Sequence, residues 1–134
     1  MNKKCYRLFI SHSWSYSDAY EKILEFLEQE KICFYDHSVP KDDPIHTNGS
    51  DKELEEAIEA KIKGVSGVII LAGVYATYSK WINKEIKIAK KYNKPIIAVK
   101  HWGAQKVSQV VKDNADELVA WQALSIANAI KKWC

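Results

Sequence analysis

The chain has 134 residues, of which 47% are hydrophobic and 28% charged, a composition typical of one globular domain spanning residues 1–134. The formal net charge of +3 is too small to indicate nucleic-acid binding by itself. No apolar run approaches the roughly 18 residues of a membrane-spanning helix. We therefore expect neither nucleic acid nor a membrane among the partners.

The first half of the chain alternates between short apolar strands and amphipathic helices. A strand is predicted at residues 6–10, and the polar loop Ser11-His12-Ser13-Trp14-Ser15-Tyr16 follows it. Ser17 or Asp18 caps a helix whose apolar positions, Tyr20, Ile23, Leu24 and Leu27, recur at helical spacing. A second strand is predicted at residues 32–35. The long loop after it, from Asp36 to Gly49, is rich in turn residues, and loops of this length are often functional.

The second half of the chain continues the same alternation. Residues 50–53 have the Ser-x-x-Glu form of a helix capping box, and Gly64 ends the helix that they begin. Continuous apolar runs predict buried strands at residues 68–71 and 95–99, separated by a helix that Ser79 caps. A short helix around residues 105–111, a weak strand at 117–120 and a last helix ending near Trp133 complete the pattern.

Strand–helix alternation repeated along the whole chain predicts an α/β fold of three layers, with a five-stranded parallel sheet and helices on both faces. We choose the flavodoxin-like strand order 2-1-3-4-5, because right-handed crossovers leave few topologies. In such sheets ligands bind beyond the carboxyl ends of the strands, near the switch point between strands 1 and 3. This rule points to residues 11–16, to residues 72–76 and to the loop after the second strand.

Glu85 lies on the apolar side of the helix predicted from Ser79 to Lys91. At about 100° per residue, one arc of this helix carries Trp81, Ile82, Ile86, Ile88 and Ala89. Glu85 projects near the middle of that arc, and a carboxylate among apolar side chains is costly unless it is paired or hydrogen-bonded. It is either a functional carboxylate in a cleft or a structural one that pairs with Arg7 or a lysine. Trp81, one turn earlier, either packs in the core or forms a ligand platform.

The loop after the first strand offers a second group of candidate residues. Ser11 and Ser13 can donate hydrogen bonds to phosphate or ribose oxygens, and Trp14 or Tyr16 can stack on a base. Alternatively, the serines satisfy local backbone groups and His12 donates to a carbonyl. The position of the loop at the switch point favours a binding site.

Several familiar sites are missing from the sequence. It contains no GxGxxG or GxxxxGK[ST] motif, and its histidines and cysteines do not have the spacing of metal ligands. We therefore predict no metal site and no bound cofactor. The cysteines, Cys5, Cys33 and Cys134, are odd in number and widely spaced, so free thiols in a reducing, cytoplasmic compartment are the simplest expectation, with a disulfide or a zinc site as the less favoured alternative.

The chain resembles bacterial TIR-like domains, and in particular the small TIR-like proteins of Thoeris-type anti-phage systems. The first strand and its loop, YRLFISHS at residues 6–13, carry this resemblance, as does SKWINKE at residues 79–85. Members of the family have a serine, a tryptophan and then a glutamate four residues later, as this chain has at Ser79, Trp81 and Glu85. The similarity covers nearly the whole chain and implies a flavodoxin-like fold.

The resemblance also implies an activity. Enzymatic TIR domains cleave the bond between nicotinamide and ribose in NAD, and some cyclise the remaining ADP-ribose to a signal. The family's catalytic glutamate corresponds to Glu85, with Trp81 orienting it or the substrate. Ser11, His12, Ser13 and Trp14 would bind the substrate, so NAD is a substrate here and not a cofactor.

Two functions follow from the resemblance, and they belong to different classes. The first is an NAD glycohydrolase or ADP-ribose cyclase in antiviral defence, whose nucleotide product reaches a downstream effector and which associates with itself through TIR–TIR contacts. The second is a TIR-like module that binds a protein or nucleotide without chemistry. The loss or retention of function in Glu85→Gln separates the two.

Overall fold

The fold is an open parallel α/β sheet, seen in a computed structural model that describes residues 5–10, 18–36, 51–72, 79–100 and 109–134. Strands and helices alternate along these residues, and their bounds are β1 Cys5–Ile10, α1 Asp18–Gln29, β2 Cys33–Asp36, α2 Asp51–Lys63, β3 Gly67–Ala72, α3 Ser79–Lys91, β4 Ile96–Lys100, α4 Gln109–Asn114, β5 Glu117–Val119 and α5 Ala123–Trp133. The described strands form one five-stranded sheet of order β2-β1-β3-β4-β5, and every neighbouring pair is parallel. The predicted fold class and strand order are confirmed.

Two apolar cores lie on opposite faces of this sheet, because successive side chains of a strand point to opposite sides. Leu8 and Ile10 of β1 belong to one core, whereas Phe9 between them belongs to the other. The first core is completed by residues of α1 and α5, namely Ile23, Leu27, Ile126, Ala127 and Ile130. The second is completed by residues of α2, α3 and α4, namely Ile58, Ile62, Ile86, Ile88, Ala89 and Val111. The helices therefore cover both faces, as the alternating pattern predicts.

The ends of α1 and α3 share one backbone conformation. Lys31 and Asn93 follow these helices with φ angles of 56° and 55°, in the left-handed region. After α1, Lys31 N–H donates to Glu28 O at 3.0 Å and Ile32 N–H donates to Leu27 O at 2.9 Å. The same pair of bonds closes α3, and this pattern is the Schellman motif. Each motif satisfies the last carbonyls of its helix and turns the chain into the next strand.

The element boundaries differ from the predicted ones by a few residues. The fourth strand begins at Ile96 and not at Pro95, because proline has no N–H to donate; its carbonyl accepts from Val68 N–H at 2.9 Å. The short helix spans Gln109–Asn114 and so ends beyond the predicted limit at residue 111. The proposed helix-capping side chains of residues 17, 18, 50 and 79 lie outside the described side chains.

The expectation of free thiols is wrong for two of the three cysteines. Cys5 and Cys33 form a disulfide, with their Cα atoms 4.5 Å apart. They face each other directly in the register of β1 and β2, and this brings two residues separated by 28 positions within bonding distance. Because the two cysteines are far apart in the sequence, their pairing could not be predicted from it. Cys134 is not part of a disulfide and has intermediate exposure.

None of the helices within the described ranges is both long enough and apolar enough to cross a membrane.

Candidate functional site

The candidate site lies on the helix that follows the third strand. β1 and β3 are neighbours, with Phe9 opposite Val68 and Ile10 opposite Ile69, whereas β2 lies on the other side of β1. The chain therefore reverses its direction across the sheet after β2, and the switch point lies between β1 and β3, as predicted. α3 starts at Ser79, after the carboxyl end of β3, and runs back along the face that also carries α2.

Glu85 is buried on the side of α3 that faces the sheet. Its exposed fraction is 0%, and among the residues whose side chains the structure describes it is the only charged or polar one that is buried. Ile86, Ile88 and Ala89 share its buried face, while Asn83 and Lys87 point outward to solvent. The helical wheel therefore placed Glu85 correctly, on the apolar side of the helix and away from bulk water.

An apolar core packs against the side of α3 on which Glu85 is buried. The core on this face combines residues of β1, β3 and β4 with those of the three helices, including Phe9, Val68, Ile70 and Ala98. Electrostatic interactions of a carboxylate are stronger in such a region than in water, because the effective dielectric constant is lower. A charge that develops close to Glu85 would consequently interact with it more strongly than at the surface.

Polar contacts join α3 to α2 on both sides of Glu85 along the helix. Lys84 Nζ lies 2.8 Å from Glu55 Oε2, and Lys91 Nζ lies 2.8 Å from Glu59 Oε1. Tyr92, just after the end of α3, donates its hydroxyl to the same Glu59 oxygen at 2.6 Å. The two helices are thus connected by ion pairs in addition to their shared apolar core.

The Glu59 cluster alters the protonation of all its members. Hydrogen bonds from Lys91 and Tyr92 lower the pKa of Glu59 below its ordinary value, because they stabilise the carboxylate. The same contacts raise the pKa of Lys91, whose ammonium is stabilised by Glu59, and the pKa of Tyr92, whose proton is held by the carboxylate. Around neutral pH the cluster therefore contains a carboxylate, an ammonium and a neutral phenol.

The amino-acid sequence identifies the family to which the chain belongs. Residues 9–106 match the model of the TIR-like domain of the Thoeris protein ThsB. The chain belongs to this family. The matched segment includes β1 from Phe9, the whole of α3 and Glu85, so the buried carboxylate lies inside the ThsB TIR-like domain. Membership of the family supports a defence-related function. No curated protein matches the chain.

Solved structures share the fold of this ThsB-type domain at low sequence identity. A 2-deoxyribosyltransferase from Bacillus psychrosaccharolyticus superposes with a TM-score of 0.58 at 9% identity, covering 84% of each chain. A CMP N-glycosidase from Clostridium botulinum gives 0.52 at 12% identity, covering 95% of this chain and 99% of that one. A 3-dehydroquinate dehydratase-like protein from Bifidobacterium longum gives 0.51 at 9% identity, covering 97% and 94%. At these identities the likeness supports the fold alone.

The structure places only part of the predicted site of this TIR-like domain. Ser11, His12, Ser13 and Trp14 lie outside the described residues. Trp81 is the third residue of α3, in its first turn, but its side chain is likewise outside the description. The roles of all five residues, and the catalytic role of Glu85, stay predictions. Most of the loop from Asp36 to Gly49 is also outside, since only Asp36 is described, at the end of β2.

Sequence reasoning missed the contacts between α2 and α3. Glu55 and Glu59 are one turn apart on α2, and Lys84 and Lys91 are two turns apart on α3, so each pair has the spacing of one helical stripe. This spacing was visible in the sequence. The sequence did not show which helices face each other, because that depends on the order of the strands to which the helices are connected.

Proposed function

We propose that this ThsB-type TIR-like chain cleaves NAD at the bond between nicotinamide and ribose, with Glu85 as the catalytic carboxylate. The product would be an ADP-ribose-type nucleotide, hydrolysed or cyclised, that acts as an antiviral signal to a downstream effector. One observation carries the proposal: the ThsB-family segment buries a single carboxylate, Glu85, among the side chains that the structure describes.

The chemistry of the reaction explains why a buried carboxylate would help. When the bond between ribose C1′ and the pyridinium nitrogen breaks, the bonding electrons leave with nicotinamide and positive charge develops at C1′. A fixed negative charge next to that carbon stabilises the oxocarbenium-like transition state. Water then adds to C1′ and loses a proton, which gives ADP-ribose, or a nitrogen of the adenine attacks C1′ and closes a ring.

The position of Glu85 suits this role in two respects. Its apolar neighbours Ile86, Ile88 and Ala89 lower the local dielectric constant and so strengthen the interaction with a nearby cation. In addition, the Cα–Cβ bonds of a helix tilt toward its amino terminus, so Glu85 leans toward the end of α3 that follows the carboxyl end of β3. Ligands of doubly wound sheets bind at this end.

The remaining predicted residues complete the proposed site. Ser11 and Ser13 would donate hydrogen bonds to ribose and phosphate oxygens, with His12 beside them. Trp14 and Trp81 would supply aromatic faces for a ring of the substrate or for the orientation of Glu85. These assignments rest on the family resemblance and on the neighbouring carboxyl ends of β1 and β3.

Two of the structures with the same fold bear names that describe related chemistry. One is a 2-deoxyribosyltransferase and another a CMP N-glycosidase. The proposed reaction likewise breaks a bond between a sugar carbon and a ring nitrogen. At 9% and 12% identity these proteins assign no residue, but they encourage a search for N-glycosidic cleavage.

The direct test is to measure nicotinamide released from NAD by purified wild-type protein and by Glu85→Gln. The glutamine has nearly the same shape and lacks the charge, so we expect a loss of roughly 100- to 1,000-fold, as when another transition-state stabilising group is removed. Glu56→Gln, an exposed position on α2, is the matched control and should retain full activity. Thermal unfolding verifies that all three proteins are folded.

A second assay addresses activation. The same proteins are incubated with lysate of phage-infected cells, and nucleotides are identified by mass spectrometry. If wild-type protein consumes no NAD under either condition, or if Glu85→Gln is as active as wild type, the proposal is wrong. Retention of phage protection in Glu85→Gln would favour the non-catalytic binding module.

A further inference from the structure

The ion pairs between α2 and α3 lie at both ends of the segment that contains Glu85. Lys84, the residue immediately before it, contacts Glu55 at 2.8 Å, and Lys91, six residues after it, contacts Glu59 at 2.8 Å. Tyr92 adds its 2.6 Å hydrogen bond to Glu59. We call the four charged residues and Tyr92 the α2–α3 seam.

The arrangement of the seam restrains two movements of α3. Its contacts on α3 are separated by about 10 Å along the axis, and those on α2 by about 6 Å. They occur in the same order on both helices, as expected for helices that run in the same direction. Two contacts so far apart oppose rotation of α3 about its axis and also its sliding along α2.

Rotation of α3 would directly affect Glu85. Consecutive helical residues point about 100° apart, so Lys84 can reach sideways to α2 only while Glu85 faces the sheet. Lys84 is half-buried against Glu55, and its contact opposes that rotation at the residue adjacent to the carboxylate.

We propose that Glu55 and Lys84 are positioning residues, which hold the Glu85 carboxylate at the orientation required for catalysis without touching the substrate. The inference rests on the proposed function, because it concerns the same reaction. Lys91, Glu59 and Tyr92 hold the far end of α3 in the same way, at a greater distance from Glu85.

The test is a charge exchange across the seam. Lys84→Glu places two carboxylates in contact. It should lower kcat for NAD cleavage by roughly tenfold with little change in KM, because a displacement of a catalytic group by about 1 Å can reduce rates up to 100-fold. The double variant Lys84→Glu/Glu55→Lys restores an ion pair of opposite direction and should recover most of kcat. Lys87→Glu is the matched control: it makes the same charge change on the same helix at an exposed position, and its kcat should remain at the wild-type value.

Amide hydrogen exchange in α3 gives a readout that does not require turnover. Lys84→Glu should accelerate exchange around Glu85, and the double variant should reverse the acceleration. Equal kcat losses in Lys84→Glu and Lys87→Glu, or no recovery in the double variant, would overturn the inference while leaving the role of Glu85 intact. If wild-type protein cleaves no NAD, the proposed function fails, and unchanged exchange in Lys84→Glu would then refute the seam separately.

Discussion

On one face of the sheet, α1 and α5 pack through a continuous apolar core to which Ile23, Leu27, Ile126 and Ile130 contribute. Phe26 and Trp121 extend this core with an edge-to-face contact whose ring centroids are 5.4 Å apart. On the other face, α2 and α3 also share an apolar core, but ion pairs join them at its border. This second face alone buries a carboxylate among the described side chains.

The difference between the faces indicates how stability and function are distributed. An apolar core contributes free energy with little directional preference, whereas ion pairs and hydrogen bonds fix orientation at small net gain. We therefore expect both cores to contribute to stability, and only the α2–α3 face also to hold a charge in a defined place. The following predictions test this division.

The largest expected effect comes from matched cavities on the two faces. Ile23→Ala in α1 and Ile58→Ala in α2 each remove the same atoms from a side chain with 0% exposure, so each should lower the free energy of unfolding by about 2–5 kcal/mol. Urea denaturation measures this loss. Nicotinamide release per folded molecule should fall only for Ile58→Ala, because that cavity lies under the helix pair that holds Glu85. Equal activity in both variants would contradict the division between faces.

The second effect concerns the edge strand β2. One side of this strand packs in the apolar core, and a disulfide on the other side links it to β1. Ile32 and Phe34 belong to the α1–α5 core, so alternation along the strand puts Cys33 and Tyr35 on the opposite side. There Tyr35 is 58% exposed, and the Cys5–Cys33 disulfide ties the strand to β1. Reduction, or Cys33→Ser, should lower the free energy of unfolding by about 2–4 kcal/mol, as expected for a closed loop of this size.

Urea denaturation with and without a thiol reductant measures the contribution of the disulfide. Cys134→Ser, which removes the cysteine outside the disulfide, serves as the control and should keep the full sensitivity to reductant. Alkylation of Cys5 and Cys33 in the native protein without reductant would show that the bond is not formed, and the prediction would then fail.

The sequence allowed the sheet order and the placement of Glu85 to be predicted for the same physical reason. Periodicity distinguishes strands from helices and sets which residues of a helix face the sheet, and right-handed crossovers limit the topology. The Cys5–Cys33 disulfide was missed because it depends on the register of two strands separated by 28 residues. The contact between Lys84 and Glu55 was missed for a similar reason, since the packing of α2 beside α3 is a result of the whole fold.

A smaller effect is expected at the ends of α1 and α3, one on each face. Lys31 and Asn93 occupy the left-handed region, where a β-carbon is unfavourable but asparagine is tolerated better than lysine. Lys31→Gly should therefore raise the free energy of unfolding by roughly 0.5–1 kcal/mol, after allowance for the greater entropy of glycine in the unfolded chain. Asn93→Gly should change it by less. Urea denaturation of both variants tests the order, and a greater gain for Asn93→Gly would contradict it.

The smallest effect should appear in the pH dependence of the α2–α3 seam. The folded-state pKa of Glu59 is lowered from 4.5 by hydrogen bonds from Lys91 and Tyr92, so its ionised form favours the folded state. This contribution is present above pH 4.5 and is lost as the pH falls through the lowered value. Glu59→Gln should consequently be less stable than wild type at pH 7, and the difference should shrink in acid.

The contribution of Lys91 has the opposite sign with respect to pH. Because contact with Glu59 raises its pKa above 10.5, its share of the stability is present up to that pH and disappears as the pH rises further. Urea denaturation of wild type and Glu59→Gln between acid and alkaline pH should therefore show a difference that is greatest in the middle of the range. Glu56→Gln, at an exposed site on the same helix, controls for the lost charge. A difference that persists unchanged in strong acid would mean that Glu59 stabilises the seam by packing, and the ion pairs would then not distinguish this face from the α1–α5 face.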